Sequence, residues 1–193
     1  MVVPPLPSLP PVNMPNHTSR GIVPALAAGL ALAGGLAAVR FSPWFTTGFL
    51  MQGAAKLAGL FLGAGVMRTD AGWALTYLAQ PILVTKACAA TDFYVMATAL
   101  LAWHLMRRAG SLVWLPVAVA AALLAAVPVT LLVNALRIVT VAHAHRWVIS
   151  RMPSSYDAFL HMATGAAVFL PALIGLNLLL EFHGRTSLPA SRD

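Results

Sequence analysis

The chain holds one cysteine, Cys88, among 193 residues. No internal disulfide is available, and the thiol is either inert packing or a reactive group. Charge is equally scarce: 9% of the residues are charged against 60% hydrophobic, and only five are acidic. The mean hydropathy is +0.82. A soluble domain is about one quarter charged, so a chain with this little polar surface needs lipid as its solvent. The twelve basic residues give a formal net charge of +7, but they are scattered singly between apolar runs. That distribution suits loop ends and lipid headgroups. No basic patch with interleaved aromatics occurs, so no nucleic-acid partner is expected. An internal repeat and a separate soluble domain are also lacking.

The apolar runs set the organisation. Residues 1–20 form a Pro-rich polar tail, 21–182 a single membrane domain, and 183–193 a polar C-terminal tail. The first run, 22–39, is roughly 18 residues, enough to span. Residues 41–68 are interrupted by Gln52 and Lys56 and end in a Gly-rich piece, which reads as an interfacial or re-entrant amphipathic helix. Residues 70–87 carry Tyr77, Ile82, Val84 and Thr85 around Pro81 and read as a hairpin-like stretch outside the membrane core. Cleaner spans follow at 89–106, which stops at Arg107-Arg108, and at 112–133, where the helical pattern continues toward Trp147. A final helix runs over 156–182, with Ser154 or Ser155 as its N-cap. The expected fold is therefore all-α integral membrane, a small bundle of about four spanning helices plus the interfacial or re-entrant helix.

Alternating direction through the last three spans brings three functional groups to one membrane face. Cys88 precedes one span, Arg137 follows the next, and His161 opens the last. A charged group inside an apolar helix costs about 2.5–3.5 kcal/mol at the bilayer centre and is kept where it lines a polar cavity. Asn134 lies one turn before Arg137 on the same face. Arg137 offers a planar fork of donors for a developing oxyanion. An imidazole ordinarily titrates near neutral pH, which suits His161 to moving a proton. Cys88 is the nucleophile candidate, with Lys86 close by in sequence. Asp92 lies one turn beyond Cys88 and is a supporting candidate, to hold a backbone, to orient His161 or to bind Arg137. The two arginines of the tight loop 107–111 weigh most for orientation, although a raw count of Lys and Arg opposes them. They put the Cys88 end on the outer face.

At these residues the chain resembles the exosortase/archaeosortase family of membrane cysteine transpeptidases. The resemblance rests on Ala87-Cys88-Ala89-Ala90, Asn134-Ala135-Leu136-Arg137-Ile138 and His161-Met162-Ala163-Thr164-Gly165, in that order. It covers roughly 40–182 and is nearest the small K-type members. The family often has glycine two residues after the cysteine, where this chain has Ala90. The resemblance implies a prokaryotic inner-membrane, multi-pass protein with its active site on the outer face. It implies cleavage of the C-terminal sorting signal of exported, membrane-anchored proteins of the PEP-CTERM kind, without a cofactor or metal. Cys88 would attack the scissile carbonyl, Arg137 would stabilise the oxyanion, and His161 would protonate the leaving amine.

Two other classes fit parts of the pattern. A bis-His haem or metal membrane protein would use pairs among His143, His145 and His161. His143 and His145 are two residues apart and point to different sides of a helix, so a pair would have to join His143 to His161. A non-catalytic assembly or transport subunit would leave Cys88 incidental and give Arg137 a packing or ion-path role.

Overall fold

The computed structural model describes residues 19–77, 81–147 and 157–186. The expected Pro-rich tail up to residue 18, the Ser154 and Ser155 caps and the tail from 187 lie outside the described residues. The described residues form five α-helices and a three-stranded sheet. Helix α1 covers Ser19–Phe41, and a π-helical stretch Trp44–Met51 runs directly into α2, Gln52–Leu62. Strands β1, Gly65–Thr69, β2, Gly72–Thr76, and β3, Ile82–Val84, follow. A 3-10 turn, Lys86–Cys88, leads to α3, Thr91–Ala109. Helix α4 is Leu115–Trp147 and α5 is Asp157–Thr186.

The sheet corrects the all-α expectation. Its strands pair antiparallel in the order β1-β2-β3, with Val66 opposite Leu75 and Trp73 opposite Val84. The hairpin expected over 70–87 starts earlier, at Gly65, in the Gly-rich piece read as the end of a helix. The break comes at Gly63. It adopts a left-handed conformation (φ 61°), Ala64 N–H reaches Gly59 O at 2.8 Å, and Gly63 N–H reaches Leu60 O. That is the paired bonding of a glycine helix stop, and β-branched and aromatic residues after it favour strands.

Among the described residues three helices, not four, are long and apolar enough to cross a membrane; they cover Gly21–Phe41, Leu112–Ala144 and Met162–His183. Helix α3 is the exception, and its position accounts for the difference. It is the innermost helix, packed against α1, α4 and α5. It encloses Phe93, Tyr94, Ala97, Thr98 and Ala102, so its polar side chains meet other helices. Tyr94 donates to Leu123 O of α4 at 3.2 Å, and Thr98 bonds back to Tyr94 O. Its 19 residues rise about 28 Å, close to the hydrocarbon thickness of about 30 Å.

Small residues every fourth position let these helices approach closely. On α1 the buried residues are Pro24, Ala27, Ala31 and Gly35. On α4 the inner stripe runs from Ala118 through Ala122, Ala126, Thr130, Asn134 and Ile138 to Ala142. The bundle core joins α1, α3, α4 and α5. A second core joins Met51, Ala54, Ala55 and Ala58 to Leu75, Val84, Ala135 and Ile138, and Cys88 belongs to it.

At the far end of the bundle α3 and α5 are tied by polar groups. His104 Nε2 lies 2.9 Å from Asn177 Oδ1, a bond that requires the proton on Nε2 because the oxygen only accepts. Arg108 Nη2 donates to Leu180 O at 2.6 Å. His104 is 6% exposed. Replacing Asn177 by Leu leaves that imidazole buried without its acceptor. A loss of about 1–3 kcal/mol is expected, measured as detergent-solubilised thermal unfolding, with Asn177→Gln less damaging than Asn177→Leu.

Candidate functional site

Cys88 closes the 3-10 turn just before α3. Its N–H donates to Thr85 O at 2.8 Å, and its carbonyl accepts from Asn134 Nδ2 at 2.6 Å. The residue is 7% exposed. Two residues on, Ala90 takes φ 52° and ψ 34°, the left-handed region, and is the N-cap of α3. It is the only non-glycine residue with positive φ among the described residues. A Cβ there costs about 1–2 kcal/mol. The backbone therefore takes a glycine-favouring conformation two residues after the cysteine.

Arg137 is 6% exposed, one turn beyond Asn134 on α4. Its guanidinium lies against α5 at Gly165. A Cβ added at Gly165 would sit 3.1 Å from Nε and 3.4 Å from Cζ. The Cζ atom also lies 5.1 Å from the centre of the Phe169 ring, within the range where a ring face attracts a cation. Phe169 packs in turn on Phe93 of α3, with ring centres 5.2 Å apart. The contact closes a path from Cys88 through Asn134 and Arg137 to α5.

His161 precedes Gly165 by one turn of α5, and 161, 165 and 169 fall on one stripe of that helix. Its side chain lies outside the described residues, as does that of His145. The structure thus joins Cys88 to Asn134 and sets Arg137, one turn further along α4, against Gly165 of α5, four residues after 161. It does not bring Asp92 in: that carboxylate is exposed in the first turn of α3 and has no hydrogen bond or ion pair among the described residues, where its charge complements the helix N-terminus. Lys86 is also exposed. It faces a polar cleft of about 460 Å³ with Arg68, Asp70, Gln52, Thr47 and Trp44. His143 is exposed and stacks on Tyr77 with ring centres 6.1 Å apart. Among the described residues no group of three or more His, Cys, Asp or Glu is arranged to hold a metal ion.

Sequence reasoning missed Phe169. The available signal was the four-residue repeat 161-165-169, which an aromatic on an apolar helix easily conceals as core. It missed the cleft as well, because Arg68 and Lys86 are far apart in sequence and meet only through the hairpin.

The Asn134 amide completes the description. Its Oδ1 is buried and has no hydrogen-bond partner. No family model, curated protein or solved structure matches the chain.

Two substitutions test this geometry with opposite signs. Ala90→Gly is expected to raise stability by about 1 kcal/mol by relieving the left-handed backbone. Gly165→Leu forces the guanidinium off α5 and is expected to cost about 1–3 kcal/mol. Thermal unfolding of both purified variants beside wild type checks the pair; a neutral Gly165→Leu would mean that Arg137 does not depend on that backbone.

Proposed function

We propose that the chain is a membrane-embedded cysteine protease/transpeptidase of the exosortase kind, which cleaves the C-terminal sorting signal of exported proteins. The observation that carries this reading is the junction of Cys88, Asn134 and Arg137 at one end of the bundle, closed by the α5 backbone at Gly165. The left-handed backbone at Ala90 supports it independently.

Membrane embedding is supported by the apolar outer surface. Leu124, Leu170, Ile174, Leu178 and Phe182 are each more than half exposed, and soluble proteins rarely expose contiguous apolar patches of that kind. In this reading α3 is the enclosed fourth span. Helix α4 has 33 residues, a rise of about 50 Å, against a hydrocarbon thickness of about 30 Å. The surplus carries Asn134 and Arg137 to the membrane boundary, where an exported substrate meets the thiol. The outer face of a prokaryotic inner membrane is the proposed location.

The chemistry proceeds as acyl transfer. His161 takes the proton of the Cys88 thiol, and Sγ attacks the scissile carbonyl carbon. Negative charge develops on the carbonyl oxygen, and the Arg137 fork stabilises it. The C–N bond breaks, and His161 delivers its proton to the leaving amine. The acyl group remains on Cys88 as a thioester. An amine or a water then attacks, His161 takes its proton, and Sγ leaves to regain it. No cofactor is needed.

Cys88→Ala is expected to insert normally and to abolish processing of a co-expressed protein with a sorting signal, read by immunoblot. Arg137→Lys is expected to lose most activity, because an ammonium lacks the planar fork and the packing on Gly165. Normal processing by Cys88→Ala would sink the peptidase reading and favour a non-catalytic subunit.

A further inference from the structure

The tether to the Cys88 carbonyl explains only half of Asn134. A carbonyl oxygen can only accept, so the amide arm facing it is the NH2. That assignment makes Oδ1 the other arm. Asn134 is 1% exposed, and Oδ1 has no donor among the described residues. Buried acceptors are almost always satisfied, and one that is not asks for an absent donor. If the side chain served only to hold Cys88, a donor alone would suffice.

The neighbour on the same stripe indicates which donor. Arg137 is one turn away and presents only donors, whereas Oδ1 presents only an acceptor. Together they complement one residue of an extended peptide, whose own N–H and C=O point to the same side. We propose that Asn134 Oδ1 accepts the main-chain N–H of the substrate residue whose carbonyl faces Arg137, making Asn134 a substrate-binding residue that orients the amide for Cys88. The inference rests on Cys88 being the nucleophile of the proposed function.

Because Cys88 is the only cysteine, alkylation of the purified full chain in detergent reports on this position alone. Two small reagents serve as probes. Iodoacetamide offers an amide N–H; methyl iodoacetate has a methoxy group in its place and offers none. The ratio of their rates is read by mass spectrometry and divided by the same ratio for glutathione. In wild type the corrected ratio is expected to be about threefold to tenfold above one, the effect of a single hydrogen bond. In Asn134→Leu it should return to one. A change that merely loosens Cys88 alters both rates alike and leaves the ratio untouched. If Asn134→Leu does not fold, Asn134→Ala removes both arms without bulk and carries the same comparison.

A wild-type ratio near one overturns the proposal. So does a raised ratio that survives loss of the Asn134 side chain. Failure of both reagents to modify wild type overturns it too, since an amide donor then has no access to Oδ1. The test uses no protein substrate, so a chain that keeps the amide preference but fails to process a sorting signal separates this inference from the peptidase reading.

Discussion

Burying one permanent cation sets the geometry of half of this fold. Arg137 carries a guanidinium, yet it is enclosed where α4 meets α5 with only 6% exposure. Two of its neighbours on α5 fit it by shape. The guanidinium lies against Gly165, and its Cζ sits 5.1 Å from the centre of the Phe169 ring. A Cβ at 165 would press on the guanidinium at 3.1 Å. The helix must therefore present 165 and 169 together, and position 161 falls on the same stripe. The rotation of α5 about its axis follows from one charge on α4.

A second constraint holds the far end of α5. Between its ends this helix is mostly exposed, so packing alone fixes it weakly. The His104–Asn177 bond and the Arg108 contact with Leu180 O supply the missing specificity. Twelve residues separate Gly165 from Asn177, a rise of about 18 Å and a turn of roughly 120° beyond whole revolutions. The two clamps thus use different sides of α5, one toward α4 and one toward α3. A helix fixed on two sides at two heights has little freedom to roll, and the backbone of 161 is held relative to Cys88.

What was legible in the sequence followed helical spacing. The Asn134-to-Arg137 interval, the continuation of α4 to Trp147 and the shared end of three helices all come from counting residues along apolar runs. The rest failed for physical reasons. Helix α3 carries polar residues because it is surrounded by other helices, so hydropathy understates its enclosure. Strand β1 begins in glycines that read as a helix terminus, since its pairing partner β2 lies beyond a turn. Asp92 is near Cys88 in sequence but leads away from it, because the backbone reverses hand at Ala90 between them. The guanidinium against Gly165 comes from another helix, so no local spacing on α5 announces it.

That reversal at Ala90 links local strain to the site. In a continuous helix through Cys88, its carbonyl would be engaged by the amide four residues on. The left-handed turn ends the 3-10 segment, starts α3 at Thr91, and releases the Cys88 carbonyl to accept from Asn134. The cost of the turn, about 1–2 kcal/mol, is comparable to the roughly 1 kcal/mol returned by one buried hydrogen bond. The exchange contributes little net stability. What it does supply is placement: Cys88 is drawn out of the helix and into the second core, beside the inner stripe of α4. Strain that persists without a stability gain is concentrated at functional positions, and here it acts on the one residue able to serve as a thiol nucleophile.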